Sequence, residues 1–330
     1  MDAKITKQRI GRMLSYDWLK IVGLALAFIV FWSLIFTMTA TRIQPYQQFT
    51  IFSYHSNAGL SDMYYNRMKV LQQDVFSHQT LEVDSYDLSA QASMSSTMLQ
   101  TRISTDEGDL VFVPMAGDKD NEVKDGDTVT YPRTYVETFF AGYAANLFDI
   151  EKYLEGMDAY LDCYYYGDHT AGVMDETLVK TSFINRVTAS KDKRYKTDKQ
   201  KQAGALLEVE RIAKYKVAYD EFMGYLGAGI VRLETVITRN ADGSEMTDEE
   251  TGEVFMQGKY ALNLCPNVNK MGKLSEWYQY NAGTNDNPLW TAKDMCVMFL
   301  DMYAVEDGYE YESLLFVTYL IKTCYTPANA

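Results

Sequence analysis

The chain has 330 residues, with 31 Lys or Arg against 45 Asp or Glu and a formal net charge of −14. A strongly acidic surface repels the phosphates of nucleic acid, so this charge argues against a nucleic-acid-binding protein. The hydrophobic fraction of 47% and the 26 tyrosines argue against a disordered stalk and indicate a folded core.

The first predicted element is a membrane-spanning helix. Residues 21–41 carry no charge, and Lys20 and Arg42 flank the segment. A helix of this length spans about 30 Å, the thickness of the hydrocarbon core of a bilayer. A buried core helix is the alternative, but core helices of this length usually keep a polar face. The sequence therefore predicts insertion of residues 21–41 into the lipid bilayer.

The flanking charges predict the orientation of this helix. Five basic residues and two acidic residues precede it, whereas Arg42 is the basic residue that follows at once. By the positive-inside rule we expect a cytoplasmic tail at 1–20, an uncleaved signal-anchor at 21–41 and an extracytoplasmic domain at 42–330. We also expect the anchor to lie in a plasma membrane, as part of a cell envelope of bacterial type. A cleaved signal peptide is the alternative, although such segments are usually shorter and end in small residues.

The first part of the outer domain alternates between strand and helix patterns. Apolar residues recur every three or four positions in the helices, and short apolar runs form the strands. This alternation predicts an α/β fold with a mainly parallel sheet flanked by helices and joined by right-handed crossovers. The predicted segments are strand 49–54, helix 60–75, strand 81–84, helix 89–103 and strand 109–114.

The remainder of the chain is predicted to contain more helix than strand, and residues 164–187 fit no pattern. Four cysteines allow three disulfide pairings that the spacing does not rank, and free buried thiols are the alternative. The cysteines are Cys163, Cys265, Cys296 and Cys324. The predicted segments are loop 116–132, helical region 134–160 with a break at 146–149, helix 200–226, strands 230–238 and 254–264, and amphipathic helices 292–303 and 311–323.

Two segments carry a family resemblance. Residues 98–113 (MLQTRISTDEGDLVFV) lead from a helix through an acidic tract into a strand, and residues 139–154 (FFAGYAANLFDIEKYL) follow. Together with the strand and helix order, they resemble the extracellular solute-binding proteins of ABC importers over residues 47–155. The resemblance implies a periplasmic-binding-protein-like domain that captures a solute for a membrane transporter or a sensor. The chain differs from that family in its transmembrane anchor, and no clear crossover to a second lobe is visible.

The resemblance also implies a position for the ligand. In open α/β sheets, ligands lie beyond the carboxyl ends of the strands. Tyrosine rings stack on sugar faces and Asn or Asp side chains bind hydroxyls, so the residues after the three predicted strands suit a small polar, sugar-like solute. Ordinary loop and cap roles are the alternative. The residues that follow the three predicted strands are Tyr54, His55, Ser56, Asn57, Tyr86, Asp87 and Pro114.

No motif of an enzyme is visible. The chain lacks a nucleophile elbow and a Walker loop, and its three histidines show no metal-ligand spacing. We therefore expect no cofactor, no bound metal and no catalytic residues. Two alternatives to solute binding stay open: a cell-envelope scaffold or protein-interaction subunit that has lost its ligand, and an extracytoplasmic hydrolase with a carboxylate pair or a Ser/His pair in a cleft.

Overall fold

The computed structural model describes residues 7–39, 43–54, 58–60, 62–88, 92–119, 122–126, 128–190, 192–248, 251–283, 286–301 and 308–327. Its contacts divide the chain into two units, Met1–Arg42 and Ile43–Ala330. The three predicted ligand residues at 55–57 lie outside the described part of the chain.

The first unit is a single helix, α1, which runs from Lys7 to Thr39. Within it, Trp18–Phe36 is long and apolar enough to cross a membrane, and its side chains are exposed. Exposing this many Leu, Ile, Val and Phe side chains to water is unfavourable, because apolar surface is more stable in an apolar environment. The helix therefore suits a lipid environment, as a single-pass anchor or as a signal sequence.

The second unit contains eight helices and eleven strands among its described residues. Its helices are α2 Asp62–Val75, α3 Ala92–Ile103, α4 Tyr135–Tyr143, α5 Ile150–Asp162, α6 Glu176–Ala189, α7 Asp198–Gly227, α8 Val268–Met271 and α9 Glu312–Cys324. Its strands are β1 Gln48–Ser53, β2 Ala58–Leu60, β3 Glu82–Asp87, β4 Leu110–Pro114, β5 Val123–Asp125, β6 Thr128–Thr130, β7 Arg232–Ile237, β8 Gln257–Asn263, β9 Tyr278–Asn281, β10 Trp290–Thr291 and β11 Met295–Phe299.

A six-stranded sheet in the order β3-β1-β4-β11-β8-β7 forms the centre of this unit. Strands β3, β1 and β4 are parallel, as the strand and helix alternation predicted. Strand β11 is antiparallel to both β4 and β8, and β8 is antiparallel to β7. Four of the six strands therefore run in one direction, and the fold is mixed α/β. The bilobed architecture of the solute-binding proteins stays untested.

Buried side chains that alternate along the strands contribute to two hydrophobic cores, one on each face of the sheet. Phe49 and Ile51 of β1 belong to the core that also contains residues of α2, α5, α7 and α9. Phe52, on the opposite face of β1, belongs to the core that contains residues of α3 and α4. Successive side chains of a strand point to opposite faces, so one strand contributes to both layers. The sheet is consequently covered by helices on both sides.

A glycine permits the tight entry into β4. Gly108 has φ of 134°, a conformation that L side chains rarely adopt. A Cβ atom at this position would also lie 2.5 Å from the Phe52 ring. The acidic tract therefore requires glycine where it turns into the central sheet.

The prediction of an amphipathic helix over residues 292–303 is wrong, because this segment contains β11. All five residues of Met295–Phe299 are buried, and the strand lies between β4 and β8. A short apolar run that is buried on both faces has no period-two pattern, so its sequence does not separate a strand from a helix. Pairing with two neighbouring strands decides the outcome.

Other segments follow the predictions more closely. The break between α4 and α5 occurs where it was expected, with Asp149 capping α5, and α9 agrees with the predicted final helix. Helix α6 occupies the region that fitted no pattern, and the predicted loop at 116–132 contains the exposed hairpin of β5 and β6. All four cysteines are free thiols, and Cys163 alone among them is exposed.

Candidate functional site

The predicted ligand residues that the structure describes lie at one edge of the sheet. Tyr54 follows β1, Tyr86 and Asp87 end β3, and Pro114 ends β4, and these three strands are adjacent and parallel. We call this side the carboxyl edge. The topology therefore brings these four residues to the same edge, as the strand order predicted.

Their side chains contribute to packing at this edge. The Tyr54 ring meets Phe139 of α4 edge-on at 5.1 Å between centroids. The Tyr86 ring contacts Phe52 and lies 3.7 Å beneath the Arg102 guanidinium. The Asp87 carboxylate accepts a hydrogen bond from the Ser53 hydroxyl at 2.8 Å, and Pro114 is buried opposite Met295. Both tyrosines are partly buried against the core on the α3 and α4 side of the sheet.

A cleft lies at the opposite edge, where the parallel strands begin. It has a volume of about 810 Å³ and separates the connection between α2 and β3 from helix α7. We call it the amino-edge cleft. Its volume falls within the roughly 300–1,000 Å³ range of small-molecule sites. Its lining residues are Lys69, Gln72, Asp74, Ser77, His78, Thr80, Leu81, Leu207, Glu210, Arg211 and Lys214.

A buried group of charges, here called the ion network, supports one wall of this cleft. Arg211 donates two hydrogen bonds to Glu208, from Nε at 3.0 Å and from Nη2 at 2.6 Å. Arg186 of α6 donates to the same carboxylate at 2.9 Å. Glu208 and Arg211 are almost completely buried, so each charge depends on the other for stabilisation.

The helix spacing explains how these charges became buried. Glu208, Arg211 and Tyr215 recur at intervals of three and four residues along α7, so they share one helical face. Ile212, next to Arg211, lies on the same buried side. Leu206, elsewhere on the same helix, is exposed. The face of α7 that enters the core therefore carries charged residues as well as apolar ones.

The protonation of the ion network follows from its packing. Burial alone would raise the pKa of Glu208, but Arg211 and Arg186 outweigh this effect and lower it to about 2. Burial lowers the pKa of His78 to about 4, because the opposing attraction of Glu208 is smaller. At neutral pH, Glu208 is therefore ionised and the His78 imidazole is neutral.

A second carboxylate ties the network to the start of β3. Glu312, at the start of α9, accepts a hydrogen bond from the Tyr215 hydroxyl at 2.7 Å. It also accepts from the backbone N–H of Ser77 at 2.9 Å and from the Thr80 hydroxyl at 3.1 Å. Ser77 and Thr80 line the cleft, so these bonds hold one wall in place. Residues in such a wall are preorganised before any ligand binds.

One nitrogen of the His78 imidazole has no hydrogen-bond partner among the described residues. Arg194 donates to Gln79 Oε1 at 3.0 Å, which orients the amide so that Gln79 Nε2 donates to His78 Nε2 at 3.0 Å. We therefore assign the proton of the neutral imidazole to Nδ1, which is buried and has no hydrogen-bond partner among the described residues. His78 itself lines the cleft.

A second cavity of about 300 Å³ lies beyond the end of β11, between α5 and the short turn before α9. Glu310 lines it and is buried, and within the described part of the chain neither of its carboxylate oxygens has a hydrogen-bond partner of acceptable geometry. Burial raises the pKa of Glu310 to about 7, and burial also raises the pKa of Asp301 in the same cavity. A general acid needs a raised pKa, so the hydrolase alternative would place its chemistry here.

Sequence reasoning did not identify the residues of the amino-edge cleft. The available signal was the interval from Glu208 to Arg211, which lies in register with Tyr215 on a long helix. Charged residues at core-facing positions mark buried pairs or functional sites. His78 gave no local signal, because its neighbours Glu208 and Arg194 are distant in the chain.

Comparison with known proteins gives no relative for this chain. No protein-family model matches it, and neither the curated proteins nor the solved structures contain a match.

Proposed function

We propose that the chain is a membrane-anchored extracytoplasmic binding protein that captures a small polar solute in the amino-edge cleft. The observation that carries the proposal is the cleft itself, with its volume of about 810 Å³ and its lining of hydrogen-bonding side chains. Binding is non-covalent, and a transporter or sensor in the same membrane would receive the solute. Residues 43–330 make one unit, so the proposal requires no closure between two lobes.

The N-terminal helix supports the proposed location of the domain at the outer side of a membrane. Helix α1 has the length and composition to cross a bilayer, and the basic residues that precede its apolar stretch favour a cytoplasmic N-terminus. A binding domain on the outer side of the membrane meets solutes before they reach a transporter. Tethering also keeps its local concentration near that partner high.

The cleft composition favours a solute with several oxygen atoms. Lys69 and Lys214 lie among its lining residues with Gln72, Ser77 and Thr80. Lys69 already pairs with Asp84 at 3.1 Å, and Lys214 donates to the Phe76 carbonyl at 2.9 Å. Asp84 offsets the charge of Lys69, and Asp74 and Glu210 add negative charge to the lining, so a neutral polar or weakly anionic solute suits the cleft better than a strong anion.

The experiment is a thermal-shift screen of the full chain in detergent against sugars, amino acids and small carboxylates. A ligand that binds only the folded state at about 100 times its Kd stabilises it by about 2.7 kcal/mol. Leu207→Trp narrows the cleft without touching the ion network, and Leu206→Trp is the matched control, because Leu206 is exposed but does not line the cleft. A hit should stabilise the parent and Leu206→Trp, but not Leu207→Trp.

Two outcomes would oppose the proposal. A panel without any stabilising compound at millimolar concentration would contradict solute binding. A hit whose effect survives Leu207→Trp but is lost in Tyr86→Ala would place the ligand at the carboxyl edge, where the strand topology predicted it.

A protein-interaction subunit is the second candidate, and an apolar groove beside the cleft favours it. The groove has a volume of about 530 Å³ and lies between α7 and α9. Val217, Leu315 and Tyr319 line it, and Val217 is 56% exposed. In-membrane crosslinking would test this role: a specific partner should be lost in Val217→Asp and kept in Leu206→Asp, an equally exposed apolar position on the same helix.

A further inference from the structure

A second cluster of ligating side chains lies at the end of α5, on residues that the proposed function does not use. Asp158 and Asp162 are four residues apart on this helix, so they lie on the same face. The following loop returns His169 to this face, and one ligating atom from each of the three residues lies within 4.8 Å of the others.

Asp162 fixes the orientation of the imidazole. Its Oδ1 atom lies 2.6 Å from His169 Nδ1 and accepts the backbone N–H of His169 at 2.8 Å. The Tyr219 ring packs edge-on against the imidazole at 5.3 Å between centroids. A carboxylate at Nδ1 places the proton of a neutral imidazole on that nitrogen, which leaves the Nε2 lone pair available as a metal ligand.

The other nitrogen points at a second carboxylate without a hydrogen bond. The His169 side chain is only 1% exposed, and its Nε2 atom has no hydrogen-bond partner among the residues that the structure describes. This atom lies 3.3 Å from Asp158 Oδ1. In the neutral tautomer both atoms carry lone pairs that face each other, so a cation bound between them would be stabilised by both, as a proton on Nε2 would be.

The distance suits a metal ion. Tetrahedral zinc binds nitrogen and oxygen at about 2.0–2.1 Å, which separates two adjacent ligand atoms by about 3.4 Å. Carboxylate ligands alone would favour Ca²⁺ or Mg²⁺, whereas a histidine nitrogen favours a transition metal. Both carboxylates are partly exposed, with Asp158 at 46%, so an ion can enter from solvent.

We propose that His169 Nε2 and the Asp158 carboxylate bind a divalent transition-metal ion of the zinc type. Asp162 is the positioning residue that holds the imidazole, and water completes the coordination. With so few protein ligands the ion exchanges readily, in contrast to a closed structural zinc site.

The test uses the full chain in detergent, without a histidine tag and stripped with a chelator, titrated calorimetrically with zinc chloride near neutral pH. We expect saturable binding of one ion per chain. Asp158→Asn should weaken binding at least about tenfold, and Asp162→Asn should weaken it by about 10- to 100-fold, as for other residues that orient a ligand. Glu176→Gln is the matched control, because Glu176 is exposed and pairs only with Lys180 in the described structure.

Two results would overturn the proposal: no binding up to millimolar zinc, or equal affinity in the parent and Asp158→Asn. Because Asp158 is a partly exposed side chain, the variant should fold, and circular dichroism checks this. Cobalt provides a second measurement, since the visible d–d bands of Co²⁺ change in position and intensity with its ligands. His169→Gln should change that band, whereas an unchanged spectrum would mean that His169 is not a ligand.

Discussion

At the carboxyl edge of the sheet, the aromatic side chains that follow β1 and β3 pack against α3 and α4, whereas at the amino edge the residues before β3 and β4 are polar and buried. Tyr54 and Tyr86 are the packed aromatic residues of the carboxyl edge. Asp109 is a buried polar residue of the amino edge. It precedes β4 and accepts a hydrogen bond from the Thr50 N–H at 2.7 Å. Burial raises the pKa of Asp109.

The difference shows how side chains modify a rule of topology. The strand order places the crossover reversal between β1 and β4, and ligands usually bind at the carboxyl ends of strands at such a point. Here aromatic packing occupies much of that edge among the described residues. The amino edge instead carries the cleft and the ion network, because α7 brings Glu208 and Arg211 against the connection before β3.

The largest expected effect comes from breaking the ion network at the amino edge. Glu208→Gln leaves the buried Arg211 guanidinium without its counter-charge, and we expect a loss of about 3–5 kcal/mol in the free energy of unfolding. Glu210→Gln is the matched control, because Glu210 lies two residues away and is exposed. Urea unfolding measures both. A loss below about 1 kcal/mol would mean that the network contributes little to stability.

The next prediction concerns pH, where two buried groups at the amino edge oppose each other. Glu310 has a folded pKa of about 7 against an ordinary 4.5, so the folded state binds its proton more tightly and loses stability as pH rises from 4.5 to 7. His78 has a folded pKa of about 4 against 6.5, so its contribution is complete above pH 6.5 and is lost as pH falls toward 4. Each effect amounts to about 3 kcal/mol.

Removing one of these groups should expose the effect of the other. Relative to the parent, the stability of Glu310→Gln should rise by about 3 kcal/mol between pH 4.5 and 6.5, because the variant lacks the proton that the folded parent holds on Glu310. Unfolding free energies at several pH values measure the slope. Parallel profiles for the parent and the variant would contradict the assignment of a raised pKa to Glu310.

The smallest effect is expected at the carboxyl edge. Tyr86→Ala removes a half-buried ring that contacts Phe52 and lies beneath Arg102, and should cost about 1–3 kcal/mol. Tyr86→Phe retains the ring and serves as the control, with a smaller loss expected. If Tyr86→Ala left stability unchanged but abolished solute binding, its ring would be a ligand contact and the contrast between the two edges would fail.

Much of the first half of the fold could be predicted from local patterns. Strands β1, β3 and β4 and helices α2 and α3 lie close to their predicted segments, because each buries a face whose spacing is visible in the sequence. Helix α7 was also predicted within two residues at its start, and Thr197 caps it as expected for a helix N-terminus.

Candidate sites depended on information that local patterns lack. The residues of the ion network come from separate elements, with His78 before β3, Arg186 on α6 and Glu312 at the start of α9. Likewise, Asp158 and His169 are brought together by a loop whose path no periodicity describes. Only contacts across large sequence separations assemble such groups.

By itself, the sequence determined that an apolar helix of membrane-spanning length precedes an acidic α/β domain with parallel strands. These features follow from composition and from the spacing of apolar residues along single segments. Contacts between distant parts of the chain decided that Met295–Phe299 is a central strand, that the aromatic residues of the carboxyl edge are packed, and that a cleft of about 810 Å³ lies at the amino edge. The physical reason is that strand pairing, cavity position and the burial of charge all depend on neighbours supplied by distant parts of the chain.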